Sequence, residues 1–98
     1  MKYKVKNLPI ANQDLVAIDK ALEEYPNKAG RLFQEIHKKL KQLEDMPHMW
    51  PQYSHNMKYR KMVLEDYLLF YQVDDGAREV RVYRILYGKM DIPRHIVE

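Results

Sequence analysis

From Lys2 to Asn7 the chain alternates, with Lys2, Lys4 and Lys6 set against Tyr3 and Val5, the period of a half-exposed strand. The period then changes. Between Pro9 and Tyr25, Ala11, Leu15, Ile18, Leu22 and Tyr25 recur at steps of four and three, which puts them on one stripe of a helix whose first turn accommodates Pro9. Pro26 closes that helix and can open another, in which Ala29, Leu32, Phe33, Ile36, Leu40 and Leu43 form a stripe opposite Lys28, Arg31, Lys38 and Lys41. Two helices joined so tightly predict an antiparallel hairpin. The segment EDMPHMWPQYSHN that follows has two prolines and mixed polarity, and reads as an irregular connection. Three strands come next, Met57 to Leu64, Tyr67 to Val73 and Glu79 to Tyr87, and the short links Glu65-Asp66 and Asp74 to Arg78 favour an antiparallel meander. The middle run, YLLFYQV, is apolar on both faces. It predicts a central strand covered by the helical hairpin on one side and by the tail or a partner on the other.

The pattern as a whole is that of a small α+β protein: an N-terminal strand, an antiparallel helical hairpin, and a three-stranded antiparallel meander that completes a mainly antiparallel sheet. At 98 residues, one domain spanning 1–98 is expected. No run approaches the ~18 apolar residues of a membrane span, so a soluble chain with no membrane partner is expected. The start, MKYKVKNLPI, lacks the apolar segment of a secretory signal, and with no cysteine anywhere this fits a cytoplasmic protein without disulfide or thiolate chemistry. Net charge is +3 with no basic tail, so any electropositive patch must be assembled by folding.

That charge bears on the meander. A strict period of two in Glu79 to Tyr87 places Val80, Val82, Arg84 and Leu86 on one face and Arg81, Tyr83, Ile85 and Tyr87 on the other. Arg84 thus shares a face with apolar residues, while Lys58 and Arg60 share one with Met62 and Leu64. A cationic end beside an apolar end is the layout of a concave site. The structural alternative is that Arg84 pairs with a carboxylate such as Asp66 or Asp91 and that Arg81 snorkels. Trp50, Tyr53 and Tyr59, near Lys58 and Arg60, could stack on the bases of unpaired RNA or could form an aromatic lid over the hairpin. His48 and His55 lack a third ligand, so no metal site is expected. No glycine-rich phosphate loop or serine-nucleophile motif is present, and no cofactor is expected.

The order of elements, with ANQDLVAID in the first helix, YRKMVLEDYLLFYQVDD in the meander and VYRILYGKMD at its end, resembles the RelE/ParE superfamily of bacterial toxins over nearly the whole chain. The resemblance implies the toxin of a type II toxin-antitoxin module, neutralised by a cognate antitoxin. It also implies one of two targets: messenger RNA cut on the ribosome, or DNA gyrase inhibited without a hydrolytic site. Cleavage needs a base for the 2′-hydroxyl, cations for the pentavalent phosphate and an acid for the leaving oxygen. On that reading Arg60 and Arg84 stabilise phosphate, Lys58 or Lys61 is the base, and Tyr87 or His95 is the acid. Lys89, Arg81, Tyr59 and Trp50 would then hold RNA.

Departures from the superfamily pattern stand beside this. Leu68 occupies the place of an arginine in the Tyr-Arg-x-x-Tyr pattern of RelE-like members, and Met90 that of a cation implicated in cleavage. The persisting basic strand ends put ribosome-dependent messenger RNA cleavage first. The gyrase inhibitor comes second, and a degenerate member that only binds its antitoxin third.

Overall fold

The structure is a computed structural model and describes residues 2–96. Its elements are β1 (Lys4–Asn7), α1 (Pro9–Ala21), α2 (Pro26–Gln42), β2 (Gln52–Tyr53), β3 (Asn56–Leu64), β4 (Tyr67–Asp74), β5 (Glu79–Tyr87) and a short 3₁₀ turn, Ile92–Arg94. The strands form one five-stranded sheet in the order β1-β5-β4-β3-β2. The helical hairpin carries the chain from one sheet edge to the other, and the meander then fills the sheet back toward β1. β1 therefore pairs with β5 in parallel, while the remaining pairings are antiparallel.

The expected α+β architecture is present, and β4 is the central strand covered on both faces. On one face Leu69 and Tyr71 pack with Leu32, Ile36 and Leu43 of the α2 segment and with Ala11 and Ile18 of α1. On the other, Leu68 and Phe70 meet Tyr53, Tyr59, Leu86 and, from the tail, Ile92 and Ile96. The tail thus covers the face that the helices leave open. A strand buried on both sides gains no stability from a polar side chain on either, which accounts for the unbroken YLLFY run.

Three sequence expectations need correction. α1 ends at Ala21, not Tyr25: the Leu22 N–H bonds back to the Ile18 and Asp19 carbonyls, and Tyr25 becomes the residue before α2, with 61% of its surface exposed. The 44–56 connection is not wholly irregular, because β2 pairs with β3 and the Lys61 N–H bonds the Pro51 carbonyl. Most consequential is a β-bulge in β5. Tyr71 faces Val82 and Phe70 faces Arg84, leaving Tyr83 as the extra residue. The alternation slips there, so Ile85 joins Val80 and Val82 on the helix side while Leu86 joins Tyr83 on the tail side.

One glycine is imposed by a close approach. The Gly88 N–H bonds the Asp66 carbonyl at 2.7 Å, and a Cβ at Gly88 would lie 3.1 Å from that same oxygen. Gly30 is the opposite case, a helical glycine in α2 whose Cβ would meet nothing within 4 Å. Gly30→Ala is expected to stabilise the fold by about 0.5–1 kcal/mol, since alanine gives up less conformational entropy in a helix. Thermal unfolding should show a Tm higher by about 3–6 °C; an unchanged or lower Tm would contradict this account of Gly30.

Candidate functional site

β1 is too short to cover the outer side of β5, and α1 completes the job. β1 pairs with β5 only as far as Asn7 opposite Val82, after which the Leu8 N–H bonds the Val82 carbonyl and the chain turns into α1. The helix presents Asp14 to the uncovered part of the strand. Its Oδ2 accepts the Ile85 backbone N–H at 3.0 Å. Both carboxylate oxygens also accept from Arg84, Oδ2 from Nε at 2.8 Å and Oδ1 from Nη2 at 3.0 Å, the two-pronged geometry in which a guanidinium matches a carboxylate best. The Arg84 and Asp14 side chains are 16% and 13% exposed. The hydrogen bond and charge of Asp14 hold the Arg84 guanidinium in its charged form above the usual arginine value, against the cost of partial burial. A further Arg84 N–H points to the His95 carbonyl at 3.4 Å.

Arg60 is likewise committed. It lies on the helix side of β3, paired across the sheet with Tyr71, and donates through Nη1 to the carbonyls of Trp50 (2.7 Å) and His48 (3.3 Å). The Tyr71 hydroxyl donates to the Pro47 carbonyl at 2.8 Å, and burial pushes its pKa up to about 12. Arginine and tyrosine together satisfy carbonyls of the 44–51 loop that would otherwise lie unpaired over the core.

The β4–β5 turn gathers the rest. Arg81 bonds Glu79 at 2.6 Å and Asp74 at 2.8 Å, and Lys6 lies 3.5 Å from Glu79. Asp74 is held below the usual carboxylate range first by the Ala77 N–H and then by Arg81; for Glu79 the leading cause is Arg81 itself. Asp75 accepts the Tyr3 hydroxyl at 2.6 Å, which lowers its pKa and raises that of Tyr3, and His48 Nε2 lies 3.1 Å from the same carboxylate.

The residues singled out from the sequence are therefore spread over the fold. β4 separates Arg60 from Arg84, about 10 Å of sheet between strand axes, and each points to a different element. Lys58 lines a small recess of about 180 Å³ with His48, Gln52, Arg60 and Asp75. Lys61 is half-buried on the tail side, its ammonium 5.8 Å from the centre of the Tyr53 ring. Tyr87 packs edge-on against Tyr67 and is 41% exposed, Lys89 is exposed, and His95 is half-buried in the tail.

Of the aromatics expected to meet RNA, Tyr59 is 5% exposed and stacked on Tyr83 at 4.7 Å, Tyr53 is buried edge-on against Phe70, and Trp50 packs into the helix-side core under the Lys39 ammonium. Sequence reading offered Asp66 or Asp91 as the partner of Arg84 and missed Asp14. The signal was there: a carboxylate between Ala11 and Leu15 on the edge of the buried stripe of α1.

With this geometry in hand, the chain can be set beside known proteins. The family model for the ParE toxin of type II toxin-antitoxin system, parDE, matches residues 5–92. The fold is similar to a chain of the chromosomal ParDE system from P. aeruginosa, with a TM-score of 0.73 at 22% identity over 90% of this chain and 98% of that one. It is also similar to the RelBE2 toxin-antitoxin complex from Mycobacterium tuberculosis (0.66, 18%, 89% and 99%) and to the intact E. coli RelBE complex (0.65, 19%, 90% and 99%). Identities this low speak for the fold alone. Among curated proteins, none matches in sequence.

Two outcomes follow from the ion pairs. Asp14→Ala leaves Arg84 without its carboxylate and the Ile85 N–H without an acceptor, and should cost about 2–4 kcal/mol in denaturant unfolding. Asp14→Asn, which keeps an acceptor but no charge, should cost less; equal losses for the two would mean that the charge carries the whole effect, and no loss in Asp14→Asn that the charge is irrelevant. Because Asp74, Asp75 and Glu79 titrate below their unfolded values, their stabilisation is complete above about pH 4–4.5 and is lost as pH falls through the lower folded values. Denaturation curves from neutral to acid pH should show that decline, and Arg81→Ala should make it shallower. An acid limb of equal steepness in Arg81→Ala would assign the decline to other carboxylates.

Proposed function

Since the chain belongs to the ParE toxin family of type II toxin-antitoxin systems, we propose that it works as ParE-like members of the superfamily do, by binding DNA gyrase and not by cutting messenger RNA, and that a cognate antitoxin neutralises it. The observation that carries this reading is the engagement of Arg60 and Arg84. Transition-state stabilisation of phosphoryl chemistry requires donors aimed at the place where charge develops. Arg60 is aimed at backbone carbonyls of its own loop and Arg84 at Asp14. Releasing either to a phosphate would strand a partly buried acceptor, a cost that opposes substrate binding.

The tail side of the sheet supports the same view. Tyr53, Tyr59, Phe70, Leu86, Ile92 and Ile96 pack together there, and Leu68, standing where an arginine would be expected, packs against them. Met90, in place of another expected cation, is 40% exposed and borders a groove beside α1. The tail-side cluster is buried and presents no cation to a phosphate, while Met90 and Tyr87, exposed at the rim of the groove, offer apolar area to a protein. The antitoxin belongs to the reading because the solved relatives include toxin-antitoxin complexes.

The test is induced expression in a bacterial host with parallel pulse-labelling of DNA and protein synthesis. DNA synthesis should fall first while translation continues, and purified toxin added to translating ribosomes should leave messages intact. An early fall in protein synthesis with ribosome-dependent cuts, relieved by Lys61→Ala, would overturn the proposal in favour of a ribonuclease.

A further inference from the structure

The charge of the chain is concentrated on one helix. α2 holds five of the 17 basic residues, Lys28, Arg31, Lys38, Lys39 and Lys41, and one of the 14 acidic ones, Glu35. It therefore carries +4 where the whole chain carries +3, and everything outside it is net −1. Internal bonds account for part of this set. Lys28 lies 3.5 Å from Asp66. Lys39 pairs with Glu35, donates to the Val63 carbonyl and covers Trp50. Arg31, Lys38 and Lys41 remain, all exposed, and among the described residues they form no ion pair.

These three share one stripe. At 100° per residue, Asn27, Arg31, Gln34, Lys38 and Lys41 fall on the side of α2 opposite Leu32, Ile36 and Leu43, and Arg31 to Lys41 spans about 15 Å along the axis. A helix face that is merely solvated commonly interleaves signs at i, i+3 and i+4, where opposite charges attract. Here Lys38 and Lys41 are like charges at i, i+3. The helix dipole favours cations at the C-terminal end, which accounts for Lys41 but not for Arg31 near the start.

The stripe also shows what kind of partner it fits. The large hydrophobic residues that the surface exposes, such as Val16, Tyr25, Met57 and Tyr87, lie outside α2. Protein interfaces are most often centred on a buried aromatic or aliphatic anchor, and this stripe exposes none. A phosphodiester backbone needs none and is held by the arginine, lysine, glutamine and asparagine side chains found here. Arg31, Gln34 and Lys38 form one wall of an open recess of about 440 Å³ against the β3–β4 turn. Glu35 and Glu65 are its acidic members, Glu35 neutralised by Lys39, so phosphates would meet the ridge and not the recess floor. We propose that the Arg31–Lys38–Lys41 ridge of α2 is a sequence-independent contact for the phosphate backbone of duplex DNA, separate from the surface that meets gyrase.

Fluorescence anisotropy of a short labelled DNA duplex with purified toxin tests this with no gyrase present, so its outcome is independent of the target proposed above. Between about 50 and 200 mM salt, log K should fall against log[salt] with a slope of about −3, as for three phosphate contacts. Arg31→Gln, Lys38→Gln and Lys41→Gln should each reduce that slope by about one, equally on duplexes of unrelated sequence. Lys20→Gln on α1 should change nothing, and circular dichroism should find each variant folded. Wild-type binding by the folded triple variant would overturn the proposal. So would tighter binding of single-stranded RNA, or competition by polyglutamate as strong as that by DNA.

Discussion

The Asp14 carboxylate closes the open side of β5, and much of the architecture follows from that closure. A parallel β1 of four residues leaves the second half of β5 unpaired on the side away from β4, and an unpaired strand edge invites pairing with another chain. α1 lies against that edge and satisfies it with one side chain, which takes both the Ile85 N–H and the Arg84 fork. The position of α1 over the sheet, and the helix-side core built beneath it, depend on a contact between residues 70 apart in sequence.

The bulge at Tyr83 belongs to the same solution. It lets Arg84 reach α1 while Ile85 still turns into the helix-side core and Leu86 into the tail-side one. Without the slip, strict alternation would drive Arg84 onto the face where Val80 and Val82 lie buried, an expensive place for a charge. Three arginines of the meander are thus explained by carboxylates and carbonyls of the same chain: Arg84 by Asp14, Arg81 by Asp74 and Glu79, Arg60 by the 44–51 loop. Arg84 and Arg60 are bound by partners from other elements, and Arg81 by Asp74 of β4 as well as Glu79 of its own strand, so each arginine acts as a strut between elements.

α2 shows the contrast. Its inner stripe is as regular as that of α1, but its outer stripe carries cations that, among the described residues, no other element answers. A molecule that spends its strand arginines internally and leaves a row of helix cations exposed places its electropositive face on α2, away from the sheet. The tail-side face is apolar and tail-covered, the α2 face polar and charged, and surfaces so different suit different partners.

The sequence by itself determined the main elements and their order, though not β2 or the 3₁₀ turn. The stripes of Ala11, Leu15 and Ile18 and of Leu32, Ile36 and Leu43, and the two-sided apolar run of β4, are local periodicities, and local periodicity survives in any tertiary setting that buries it. The superfamily was legible for the same reason, since its signature is a succession of such patterns. What only the tertiary structure decided was where each cation points. A single extra residue in β5 exchanges the two faces, and no property of residues 79–87 alone reveals it, because the slip is set by pairing with β4. The choice of Asp14 over Asp66 or Asp91 as the partner of Arg84 likewise depends on which helix lies over the strand edge. Charge pairing acts through space at a few ångströms, and proximity in space is what a one-dimensional pattern does not carry.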